Sequence, residues 1–112
     1  MRKEDRIRLR HMIDAAEEAI SFASGRKRKD LDLDRMLALS LVKEIEIVGE
    51  AASKVSEDCR TIHPEIPWPS IITMRHRLIH GYFDINLDIV WATVTEELPT
   101  LVSNLKKALA FS

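Results

Sequence analysis

The amino-acid sequence predicts an all-α protein, an antiparallel up-and-down bundle of four to five helices in one domain over residues 1–112, and three observations carry that expectation. Apolar residues recur at intervals of three and four along most of the chain, which is the period of a helix and not of a strand. Turn formers are scarce, with 3 Gly and 4 Pro. Aromatic residues, which favour sheets, make up only 5% of the chain. With 112 residues, 46% of them hydrophobic, the chain can bury one modest core and has no room for a second.

The first helix is expected from about Lys3 to Ser24, where Leu9, Met12, Ile13, Ala16, Ala19, Ile20 and Ala23 fall on one side and Gly25 stops the run. The basic run Arg26, Lys27, Arg28, Lys29 reads as a solvated loop, or else as a contact for phosphate. Asp32 or Asp34 can cap a second helix, whose stripe of Leu37, Leu41, Ile45, Val48, Ala52, Val55 and Cys59 would make it about 40 Å long. Ile47 and Ala51 widen its apolar surface, and Gly49, Ala51 and Ala52 are small enough for another helix to approach closely. That surface is either a broad core face or the site of two separate interfaces.

Pro64, Pro67 and Pro69 force a turn, over which Trp68 is expected to pack. A short helix from Pro69 or Ser70 then carries Ile71, Ile72, Met74, Leu78 and Ile79, with Gly81 placed to end it. Asn86 can cap the last helix, with Asp88 in its first turn. Its stripe of Leu87, Val90, Trp91, Val94, Leu98, Leu101, Val102, Leu105 and Leu109 continues in phase past Pro99, so the proline should kink the helix without ending it.

No run approaches the roughly 18 apolar residues of a membrane span, and the first residues lack the apolar stretch of a secretory signal, so a cytoplasmic protein is expected. Cys59 is the only cysteine and lies in phase with an apolar stripe, which points to a buried thiol. A net charge of -1 argues against holding nucleic acid by a global positive field, so any RNA contact must be local.

Chemistry is concentrated at Arg75, His76, Arg77, Leu78, Ile79, His80, Gly81 and Tyr82. A guanidinium gives permanent charge in a fork that fits phosphate oxygens, and an imidazole exchanges protons near neutral pH. RNA carries its own nucleophile in the 2′-hydroxyl, so cleavage needs proton transfer and charge stabilisation and requires no metal in principle. His80 suits the acid or base role and Arg75 the electrostatic one, with His76 and Arg77 as further RNA-contacting or supporting residues. On one continuous helix Arg75 and His80 would lie about 140° apart, a poor site within one chain, which favours a two-fold dimer with a composite cleft. The alternative is structural: Arg75 and Arg77 pair with Glu44, Glu46 or Glu50, and His80 is a polar helix end. His76 and His80 make at most half a metal site, so neither a metal nor any other cofactor is expected.

The run IPWPSIITMRHRLIHGYFDINLDIVW from Ile66 to Trp91 resembles the signature region of HepT-type toxins of the HEPN superfamily, and IVGEAA at Ile47 to Ala52 resembles their second helix. Arg75, His80 and Tyr82 fit the pattern R-x4-H-x-Y. The resemblance implies a HEPN-like homodimer in which Arg75 and His80 are catalytic in a metal-independent endoribonuclease, the toxin of a type II toxin–antitoxin pair. It implies as partner a minimal nucleotidyltransferase antitoxin that transfers AMP to Tyr82. His76 departs from the family, which often has a small polar residue there. A non-catalytic helical dimer that binds a nucleotidyltransferase or nucleotide is the alternative function.

Overall fold

The structure, a computed structural model, describes residues 1–80 and 84–111, with His80 described by its backbone alone. Among the described residues it is all-α apart from one antiparallel pair of two-residue strands. Three long rods carry it: α1 (Lys3–Ala23), α3 (Arg35–Ser53), and a third made of α7 (Leu87–Ala92), a π-type turn (Thr93–Glu97) and α8 (Leu98–Ala110). Short helices α2 (Asp30–Leu33), α4 (Glu57–Ile62), α5 (Trp68–Ile72) and α6 (Met74–Leu78) fill the connections, and α6 leads into β1 (Ile79–His80) and β2 (Asp84–Ile85).

α1 is the central rod and packs chiefly on α3 and α8. Both neighbours run antiparallel to it. Ser56, just beyond α3, donates its backbone N–H to Asp5 near the start of α1 at 2.8 Å. Lys106 in α8 pairs with Glu17 at 3.3 Å, while Leu109 and Ala110 lie alongside Arg6 and Arg10. The predicted stripes supply the core: Leu9, Met12, Leu41, Ile45, Leu98 and Leu105 have no exposure. Each such side chain contributes about 1.5–3 kcal/mol by burial.

The expected caps are in place. Asp34 accepts the Leu37 N–H at 3.0 Å and starts α3, and Asn86 accepts the Ile89 N–H at 3.1 Å and starts α7. Gly25, at φ 74°, follows the end of α1 in left-handed backbone that other residues adopt at a cost. The basic run is a bound turn: Arg26 reaches Asp34 at 3.0 Å, and Arg28 reaches Asp88 of α7 at 2.7 Å. Trp68 is buried and donates its indole N–H to the His63 carbonyl at 3.0 Å. Gly49 permits the close approach expected at the small residues, since a Cβ there would sit 3.1 Å from the Ile71 carbonyl oxygen. The third rod continues through Pro99. Proline lacks an N–H and its ring crowds the carbonyl four residues back, and the wider turn just before it absorbs that defect.

Two boundaries differ from expectation. The second long helix ends at Ser53, not Cys59, and is therefore about 28 Å long. Ser56 starts a separate helix by accepting the Cys59 N–H, and Asp5 holds Ser56 by two bonds, at 2.8 and 2.6 Å. The short helix expected from Pro69 or Ser70 bends at Thr73 and ends at Leu78, so Gly81 is not its stop. Ile79 is already extended at φ -120° and ψ 120°. Its continuation pairs with Asp84–Ile85, and the Asn86 N–H donates to the Leu78 carbonyl at 2.7 Å.

Glu44 is a buried acid on the inner face of α3, with Oε2 unpartnered among the described residues. Burial, and then a hydrogen bond and repulsion from Glu18, push its carboxyl from an ordinary 4.5 up to about 7. Because the folded value is the higher one, its stabilising contribution is complete below about pH 4.5 and is lost as pH rises through 7. Asp5 shows the opposite balance: burial raises it, but the two Ser56 bonds together with the charges of Arg2 and the N-terminal amine hold it below the usual carboxylate range. Its contribution is present above the unfolded value of 3.8 and lost on acidification. Glu44→Gln is therefore expected to stabilise the protein at pH 8, by on the order of 2 kcal/mol, and to change little at pH 4. Thermal unfolding of both proteins at the two pH values checks this, and equal melting shifts at both would contradict it.

Candidate active site

Arg75, His76 and Arg77 occupy α6, a single turn and a half that the bend at Thr73 and the extended Ile79 cut off at either end. Its buried residues, Met74 and Leu78, anchor it to the core, which leaves the three basic side chains directed outwards. They do not converge. Arg75 points into a groove between α1 and α3, whose volume is about 520 Å³ and which also receives Arg8, His11, Lys43 and Lys54. His76 and Arg77 line a different cleft, against Asp88, Ile89, Ala92 and Glu97 of the third rod.

Arg75 is the freer arginine. Its side chain is 56% exposed, and its Nε is 3.7 Å from Glu46 of α3, a loose ion pair that a phosphate can displace. Glu46 is one of the acids expected to pair there. Arg77 instead reaches Glu97 at 3.4 Å, and its Nε is buried without a partner among the described residues. The Thr93 hydroxyl, which donates to the Ile89 carbonyl at 2.7 Å, lies 3.2 Å from the Glu97 carboxylate inside the π-type turn. Arg77 is thus tied to the third rod, while Arg75 stands at an open groove.

His80 lies on β1 with its backbone opposite Asp84. The helical-wheel separation of 140° from Arg75 therefore does not apply, because the two residues are not on one helix. Tyr82 lies outside the described residues, as does the side chain of His80. Among the described residues no three His, Cys, Asp or Glu side chains stand together as a metal-ligand set. Cys59 is buried, and burial followed by the nearby Asp5 charge pushes its thiol up, the reverse of what a nucleophile needs. No helix among the described residues is long and apolar enough to cross a membrane.

The rest of the groove carries no local signal in the sequence. Arg8, His11, Lys43 and Lys54 look like isolated surface charges until α1 and α3 are laid side by side.

Comparison with known proteins gives the family. A family model for HepT-like ribonucleases matches residues 12–108, which include the whole motif. The chain is 35% identical over 107 residues, 96% of both chains, to a protein of Caldanaerobacter subterraneus subsp. tengcongensis named as a candidate RNase. It is 35% identical over 79 residues, 70% of this chain and 72% of the other, to a protein of Thermococcus cleftensis named as a probable ribonuclease HepT. A further candidate RNase, from Methanocaldococcus jannaschii, is 25% identical over 108 residues, 96% of this chain and 89% of the other. No solved structure matches.

Proposed function

Since the chain belongs to the HepT-like ribonuclease family, we propose that it is a metal-independent endoribonuclease and the toxin of a toxin–antitoxin pair, with Arg75 and His80 as its catalytic residues. The observation that carries this reading is the position of Arg75: a half-exposed motif arginine at a basic groove, loosely held by one carboxylate. In the reaction the 2′-hydroxyl loses its proton and attacks the adjacent phosphorus. The bond to the 5′-oxygen breaks, that oxygen takes up a proton, and a 2′,3′-cyclic phosphate remains. His80 transfers a proton, and Arg75 meets the charge that builds on the phosphoryl oxygens in the transition state. Arg77, fixed to Glu97, supports the short helix that carries Arg75. The partner is a minimal nucleotidyltransferase antitoxin that silences the toxin by transferring AMP to Tyr82. Incubation of the protein with single-stranded RNA in the presence of a chelator tests the reading, cleavage to cyclic-phosphate ends being the expected result.

The working form is a two-fold homodimer. Most of the apolar face of α3 is used within the chain, against α1, α5 and α6. What supports a dimer is the apolar surface left at the start of α3, where Leu33 and Met36 are each 81% exposed and Leu39 is exposed beside them. Light scattering at micromolar concentration should give twice the chain mass of 12.9 kDa. A monomer mass would remove the dimer from the proposal and leave the chemistry to one chain.

A further inference from the structure

The groove beside Arg75 has a charge that the chain as a whole does not. Arg8, Lys43, Lys54 and Arg75 line it against two carboxylates, Glu46 and Glu50, an excess of two positive charges on a protein whose net charge is -1. Both carboxylates are already engaged, Glu46 by Arg75 at 3.7 Å and Glu50 by Lys54 at 3.4 Å. Arg8 and Lys43 make no ion pair among the described residues, so their charge faces the groove uncompensated.

The arrangement follows from helix geometry. Lys43, Ile47 and Glu50 succeed one another at four and three along one face of α3, Lys54 follows four residues on at its C-cap, and Arg8 and His11 stand three apart on the facing side of α1. Lys43 and Lys54 are about 16 Å apart along the axis, and Ile47 and Ala51 form an apolar floor between them. A strip of cations over an apolar floor, open along its length and joined to the motif arginine, suits a flexible polyanion with flat apolar faces. A protein without a global positive field needs such a local track to hold its substrate.

We propose that this groove is the track for single-stranded RNA, with Lys43, Lys54 and Arg8 holding the phosphates that flank the one presented to Arg75. The proposal rests on the ribonuclease reading for its ligand. Lys43 and Lys54 are binding residues outside the chemistry, and the strand lies along α3 towards α6.

The test is titration of the full-length protein with a 2′-O-methyl oligoribonucleotide, which lacks the attacking hydroxyl, across a range of salt concentrations. The double variant Lys43→Gln/Lys54→Gln should lower the slope of log affinity against log salt by about 1.4, and Arg8→Gln by about 0.7. With unmodified RNA the double variant should raise KM and leave kcat unchanged. All three side chains are at least partly exposed, so their replacement leaves the fold intact. An unchanged salt slope while cleavage of RNA persists would overturn the groove and spare the ribonuclease reading. Lowered slopes in a protein that cuts no RNA would support the groove and sink that reading instead. A changed mass of the double variant in light scattering would show the groove to be a contact between copies of the chain and would also overturn the proposal.

Discussion

Arg75→Ala is expected to lower the rate of RNA cleavage by a factor of about 10² to 10³, the usual cost of removing one stabiliser of transition-state charge. His80→Ala should cost about 10² to 10⁴, the range for a lost proton-transfer group. Both losses should appear in kcat, because the interactions strengthen only as the phosphorus takes on its fifth oxygen. Arg75 is a clean place to make this test. Its side chain is more than half exposed and its ion pair with Glu46 is long at 3.7 Å, so the variant forfeits well under about 1 kcal/mol of stability. Thermal unfolding alongside single-turnover kinetics separates a folded, inactive enzyme from a damaged one. Wild-type cleavage should survive the chelator. Full-rate cleavage by both variants would refute the assigned roles, and loss of wild-type cleavage in chelator would refute the metal-free mechanism. A protein that binds RNA and never cuts it would favour the non-catalytic alternative.

How far the sequence could be read depended on the range of the interaction involved. Periodicity and caps are local, and Leu9 to Ala23, Leu37 to Ala52 and Leu87 to Leu109 lie where their spacing puts them, with Asp34 and Asn86 starting the helices they head. The break after Ser53 was hidden because Val55 and Cys59 continue the apolar stripe in phase. Its signal was Ser56 followed by Glu57 and Asp58, a cap with an acidic first turn, and the tie to Asp5 lies 51 residues away. The strand at Ile79–His80 was illegible for another reason. Two residues are too few to show alternation, and the bonds that straighten them come from Asp84 to Asn86.

At the site, composition marked where the basic residues are dense but not the direction of their side chains. Arg75 and Arg77 are two residues apart on one short turn and serve different clefts, one facing α1 and α3 and the other the third rod. The pairing of Arg75 with Glu46 was among the foreseen possibilities, whereas Glu97, 20 residues beyond Arg77, could be found only from the fold. Glu44 stood in phase with Leu41, Ile45 and Val48, and that position within an apolar face was the legible sign of a buried acid. The groove needed the contact of α1 with α3, which no local pattern encodes.

Transfer of AMP to Tyr82 is expected to abolish cleavage, and the size of that effect follows from distance and charge. Two residues span at most about 7 Å of chain, so a nucleotide on the Tyr82 phenol would stay near the His80 backbone. In the proposed transfer the phenol oxygen would attack the α-phosphorus of ATP, pyrophosphate would leave and the phenolic proton would pass to solvent. The product adds a phosphodiester charge and a nucleoside beside the motif. That phosphate competes with RNA for Arg75, whose loose ion pair with Glu46 at 3.7 Å leaves it open to a better anion. A tethered competitor acts at high effective concentration, so inhibition should be near complete at ordinary substrate concentrations. Incubation with the partner nucleotidyltransferase, ATP and magnesium should raise the mass of the chain by whole AMP units, with peptide mapping placing them on Tyr82. Tyr82→Phe keeps the ring and removes the acceptor oxygen. It should cleave RNA, take no AMP and stay toxic in the presence of the partner. Modification at another residue, or none with a partner shown to be active, would overturn the regulatory assignment and leave the roles of Arg75 and His80 to be judged by their own variants.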